Sequence, residues 1–143
     1  MTDTSEALLK AGQDFPGANA AWSQPHPLLT ELAAGYAAWM ADHGTQGGHS
    51  GFQRRYDRIL AELALSAAEI TAESWPWQSA TAPTGSGRHE ATSTLAEIGT
   101  EMWRCWSQSP GHWSVASKPH WYIGAAMAKS KRGIWYACCI VAD

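Results

Sequence analysis

An α+β fold, with helices covering a small antiparallel sheet, is what this sequence predicts, and three observations carry the expectation. Apolar residues recur at helical spacing from Leu28 to Trp106. From Trp121 onward the pattern changes to two apolar runs, Trp121 to Ala128 and Ile134 to Ala142, joined by a polar turn. The helices come first and the strands last, with no internal repeat. At 143 residues the chain reads as one domain with room for a real core.

Residues 1–27 are rich in Gly, Pro and Ala, with a short helix expected near Ala7 to Gly12. Pro16, Gly17, Pro25 and Pro27 make the whole an extended entry segment, ahead of a single domain over residues 28–143. The first main helix places Leu29, Leu32, Ala33, Tyr36 and Met40 on one face and stops at Gly44. The glycine loop Gly47-Gly48-His49-Ser50-Gly51 feeds a second helix with Phe52, Tyr56, Ile59, Leu60 and Leu63 at the same spacing. A third helix is expected to begin near Ser66, where Ser66-Ala67-Ala68-Glu69 has the form of a capping box. Residues 79–90 read as loop. A fourth helix carries Leu95, Ile98, Met102, Cys105 and Trp106 on one stripe, opens on a Thr94/Glu97 capping box and ends at Ser109-Pro110-Gly111. The two closing runs form an antiparallel hairpin.

Composition narrows the function. The net charge of −3 gives no electrostatic footprint for nucleic acid, and Lys129-Ser130-Lys131-Arg132 reads as a solvated hairpin turn. No apolar run approaches the roughly 18 residues that span a bilayer. No basic and apolar leader opens the chain, so a cytoplasmic or virion-associated location is expected over a secreted one. The three cysteines, Cys105, Cys138 and Cys139, are expected as buried free thiols, the last two being adjacent in a strand and pointing to opposite faces, with a Cys105 bridge to one of them as the alternative. Most of the nine tryptophans are expected in the core. His89-Glu90 does not continue into a zincin motif, Gly85-Ser86-Gly87-Arg88 lacks the P-loop ending, and no CxxC pair exists. His26, His43, His89 and His120 have no partner pattern and read as structural or surface residues.

The remaining motifs are Gly48-His49-Ser50, Ala68-Glu69-Ile70-Thr71-Ala72, Trp106-Ser107-Gln108-Ser109-Pro110-Gly111-His112-Trp113-Ser114, Ile123-Gly124-Ala125-Ala126 and Trp135-Tyr136-Ala137-Cys138. In this order they resemble the CAP superfamily: the cysteine-rich secretory proteins, antigen 5, the plant pathogenesis-related proteins and their bacterial relatives. The resemblance covers about residues 28 to 143. Val115-Ala116-Ser117-Lys118 departs from the family signature, Ile70 stands in place of an asparagine, and Ser109 in place of a second acid, for which Glu101 is the candidate substitute.

The resemblance implies a three-layer α-β-α sandwich in which His49 and His112 meet in a cleft with Glu69, bordered by Glu101, Ser109, Trp113 and Trp75. Two neutral imidazoles there suit Zn²⁺ or another divalent cation with open positions. Three functions follow as expectations. The first is a metal- or small-ligand-binding module, a lipid included. The second is a hydrolase using a metal-bound water or Glu69 as base. The third is an interaction protein, such as a bacterial or phage assembly component, that keeps the fold without the chemistry. Glu69 has two further roles open to it, orienting a histidine or capping the third helix.

Overall fold

The structure is a computed structural model describing residues 1–143. It contains five α-helices and one open, mixed five-stranded sheet. The helices are α1 (Asp3–Asp14), α2 (Pro27–His43), α3 (Phe52–Leu63), α4 (Leu95–Ser107) and α5 (Pro110–Ala116). The strands are β1 (Gln24–Pro25), β2 (Ala67–Pro76), β3 (Gly87–His89), β4 (Tyr122–Lys129) and β5 (Trp135–Ala142), and they lie in the order β1-β4-β5-β2-β3. The β4–β5 and β2–β5 pairs are antiparallel, whereas β1 and β3 each add a parallel edge. The sheet is therefore mixed, where a purely antiparallel one was expected.

Several boundaries follow from local chemistry. His26 caps α2 by accepting from the Leu28 amide, Pro27 takes the first helical position, and Gly44 ends the helix at φ 65°. The Thr94/Glu97 capping box opens α4 as expected. Pro110 starts a new short helix, so His112 sits in the first turn of α5.

Three readings are corrected. The short helix expected near Ala7 to Gly12 is present but runs over Asp3–Asp14, so this part of the entry segment is not extended. Thr2 caps α1, and Leu8, Leu9 and Ala11 enter the core before Pro16 and Gly17 break the period. No third helix begins at Ser66. Ala64, at φ 56°, ends α3, and Ala67–Ser74 pairs residue by residue with β5. Alanine and glutamate favour helix weakly, and a central position beside β5 overrides them. Within the 79–90 loop, Gly87–His89 pairs with Ser74–Pro76 as β3.

Side chains alternate across the sheet, and each face has its own core. Ile70, Ala72, Ile123, Ala125, Met127, Ala137, Cys139 and Val141 pack with α1 and α4 through Leu8, Met102, Trp103 and Trp106. Trp75, Ala126, Tyr136, Cys138 and Ile140 pack with Leu29, Ala33, Tyr36 and Met40 of α2 and with Ile59 of α3. The three cysteines are free, and burial pushes the Cys139 thiol up to about 12 and Cys138 well above its ordinary value.

Gly124 fixes how closely α2 approaches the sheet. A Cβ there would lie 2.1 Å from the Leu29 carbonyl carbon and 2.3 Å from the Thr30 nitrogen, so the backbone itself would have to move. Gly124→Ala is expected to cost about 1–3 kcal/mol as an overpacking change, read as a lowered urea midpoint. An unchanged midpoint would show that α2 yields freely.

Candidate functional site

β3 covers only the last residues of β2, from Ser74 on, so the stretch from Glu69 to Glu73 has no strand on its outer side. A cleft of about 240 Å³ opens along that edge. It is lined by Gln46, Thr71 and Glu73 on one side, Thr84 and Ser86 on the second, and Cys105, Ser109 and His112 on the third. Period-two spacing puts Glu69, Thr71 and Glu73 on one face of β2.

His49 is not among the residues lining this cleft; it sits in the loop between α2 and α3, against Glu69 of β2. Gly47, Gly48, His49 and Gly51 all have positive φ, and His49 at φ 63° is in a conformation that glycine adopts far more easily. It is held there by Glu69. A carboxylate only accepts, so His49 donates its Nδ1 proton to Glu69 Oε1 over 2.9 Å. In the neutral ring this leaves Nε2 as a free lone pair, and the side chain is 39% exposed.

Glu69 is fully engaged. Its Oε1 also accepts from Arg55 Nη2 and its Oε2 from Arg55 Nε, both at 2.7 Å, and its side chain is 1% exposed. The Arg55 guanidinium lies 4.0 Å over the Tyr36 ring and donates to the Ser50 carbonyl. The Tyr36 hydroxyl donates to the Gln46 carbonyl and accepts from the Ser50 amide at 3.0 Å, closing the base of the His49 loop. Glu69 is therefore a strand residue that positions His49. The helix-capping role is corrected, since Glu69 lies within β2.

The acid that lines the cleft is Glu73, which sequence reasoning passed over together with Gln46, Thr71 and Arg55. Glu73 accepts from Gln46 Nε2 at 2.6 Å and from the Trp75 indole, and the Thr71 hydroxyl donates to Gln46 Oε1 at 2.6 Å. The Trp106 indole donates to the Thr71 carbonyl at 2.9 Å, fastening α4 to the strand edge. Reading residues 67–76 as a strand would have aligned Glu69, Thr71 and Glu73. The helical reading hid them.

His112 is half-buried on the α5 side. Burial, and then the charge of nearby His49, lower its pKa below the ordinary histidine value, so it is neutral at pH 7. The two histidines thus share an electrostatic neighbourhood. No three His, Cys, Asp or Glu side chains converge into a ligand set.

Of the remaining expected cleft residues, Ser109 lines the cavity. Glu101 does not. It faces β3, accepting from the Arg88 amide at 2.9 Å and from Arg104 at 2.7 Å. Burial opposes its charge, but these donors hold its carboxyl below the usual range. Trp113 turns to the other side and packs edge-on against Phe15. Trp75 is a core residue, 8% exposed, rather than an open wall. Cys105 lines the cleft, but burial raises its thiol pKa and leaves it a poor nucleophile.

No family model matches the chain, and neither the curated proteins nor the solved structures compared with it gave a match.

Proposed function

We propose that this is a CAP-type α-β-α domain whose cleft binds a divalent cation or a small polar ligand through His49 and His112, without hydrolytic turnover. The order of the Gly-His, Ala-Glu and Gly-His-Trp-Ser motifs supports the family reading, as do helices on both faces of the sheet. One observation carries the functional reading. The His49–Glu69–Arg55 chain engages Nδ1 of a part-exposed imidazole and leaves its Nε2 without a protein partner. Carboxylate-backed histidines are typical metal ligands, the carboxylate fixing the tautomer and raising ring basicity. Two imidazoles are one short of the usual three protein ligands of a catalytic zinc site, so weak binding is expected. Such an ion would supply Lewis acidity to a bound oxygen. His49 and His112 would hold it, and Glu69 would orient His49.

Calorimetry on the untagged chain tests this. Zn²⁺ binding is expected at neutral pH, to be lost in the double variant His49→Ala/His112→Ala, with the fold retained. Binding should also fail on acidification. The proton competes with the metal for each imidazole, and the depressed pKa of His112 moves its share of the loss below the ordinary value of about 6.5. Equal binding by the double variant would place the ion elsewhere.

A hydrolytic second reading rests on the same unpartnered Nε2, which would stand as the candidate base. Turnover of peptide or ester substrates that survives purification and disappears in His49→Gln, with stability unchanged, would replace the binding reading.

A further inference from the structure

We propose that the end of the sheet formed by the β4–β5 turn and the β2–β3 loop is a docking surface for an anionic lipid bilayer. Register brings the parts together. Lys129 lies opposite Trp135, Trp135 opposite Ser74, and Trp75 beside Arg88. Four of the ten Lys and Arg residues gather there: Arg88, Lys129, Lys131 and Arg132. None joins an ion pair, whereas Lys10, Arg55, Arg58 and Arg104 all do. Lys129, Lys131 and Arg132 are exposed. The acids nearby neutralise them unevenly. Glu73 is held by Gln46 and Trp75 and Glu101 by Arg104. Glu90 shares a hollow with Lys129, and Glu90, Glu97 and Glu101 share one with Arg88, so Lys131 and Arg132 are the cations with no acid beside them in either hollow.

Each of three cations sits over a tryptophan ring. Arg132 is 5.7 Å from the Trp75 centroid, Arg88 5.9 Å from Trp77 and Lys129 6.0 Å from Trp135. Trp77 is 58% exposed where the β2–β3 loop leaves β2, although Trp22 and Trp121 are exposed to a similar degree elsewhere. This pairing decides between polyanions. Single-stranded nucleic acid is held by bases stacked on open aromatic faces, and here a cation lies over a face of each ring. A bilayer asks for something else: cations at phosphate depth and an amphipathic indole at the headgroup level. The chain's net charge of −3 does not forbid this. Screening over about 8 Å at physiological salt lets a local basic patch respond to the membrane while distant acids do not.

Co-sedimentation of the full chain with vesicles tests the proposal. Binding is expected to vesicles containing one-third phosphatidylserine, weakening with salt, and not to phosphatidylcholine alone. Lys131→Ala/Arg132→Ala should lower partitioning about thirtyfold, at roughly fivefold per cation, while Lys131→Arg/Arg132→Lys retains it. Trp77→Ala should weaken binding further with the circular-dichroism spectrum unchanged. Four outcomes would each overturn the proposal: no binding to either vesicle, equal binding to both, indifference to the double alanine variant, or tighter binding to a single-stranded oligonucleotide than to the anionic vesicles.

Discussion

Arg55→Ala is expected to destabilise the protein by about 3–5 kcal/mol, because it strands the Glu69 carboxylate in the interior. The Glu69 side chain is 1% exposed and that of Arg55 13%, so this pair is not screened as a surface ion pair is. Removing the guanidinium takes away two charge-assisted hydrogen bonds, the contact with the Tyr36 ring and the donor to the Ser50 carbonyl. Only His49 then remains on Glu69. The loss should appear as a lower urea midpoint. Arg55→Met/Glu69→Gln should recover part of it, since the second change removes the unpaired charge. A loss below about 1 kcal/mol for Arg55→Ala would mean that the pair behaves as an exposed one. The same variant should weaken Zn²⁺ binding, because Arg55 also holds the base of the loop carrying His49.

Trp103→Ala is expected to cost about 3–5 kcal/mol and to loosen α1 from the rest of the domain. The ring is fully buried, lies edge-on to Trp106 at 4.8 Å and donates its indole hydrogen to the Leu8 carbonyl over 2.9 Å. Gly12 makes the packing tight, since a Cβ there would come within 2.5 Å of the ring. Truncation therefore opens a large cavity and leaves a carbonyl of α1 without its donor. Hydrogen exchange should show amides of Asp3–Asp14 opening at lower free energy than those of β5. Trp77→Ala is the control. That ring is 58% exposed, and a change within about 0.5 kcal/mol is expected. Equal losses at the two positions would show that α1 does not depend on the indole.

The elements legible in the sequence are those whose signals are local. Helix α2 is bracketed by Pro27 and Gly44, helix α4 by Thr94, Glu97 and the Ser109-Pro110 stop, and the closing hairpin by continuous apolar runs around a Lys-Arg turn. Such segments carry their boundaries in three or four neighbouring side chains, so periodicity and capping suffice. His49 and His112 stand out in the sequence for the same reason, each in a short glycine-flanked motif, although that alone does not make them a site. Long-range pairing decided the rest. Ala67 to Pro76 has helix-favouring alanine and glutamate and even a capping-box pattern, yet it is a strand because β5 offers it a ladder and both faces bury its side chains. That single change moves Glu69 from a helix cap to a buried acid behind His49 and brings Thr71 and Glu73 into the cleft. Arg55, remote from any motif, becomes the residue that fixes Glu69. The sequence determined which residues are chemically capable. Only the tertiary structure decided which carboxylate is spent on holding a histidine, because hydrogen-bond saturation depends on neighbours that lie 14 and 20 positions away along the chain.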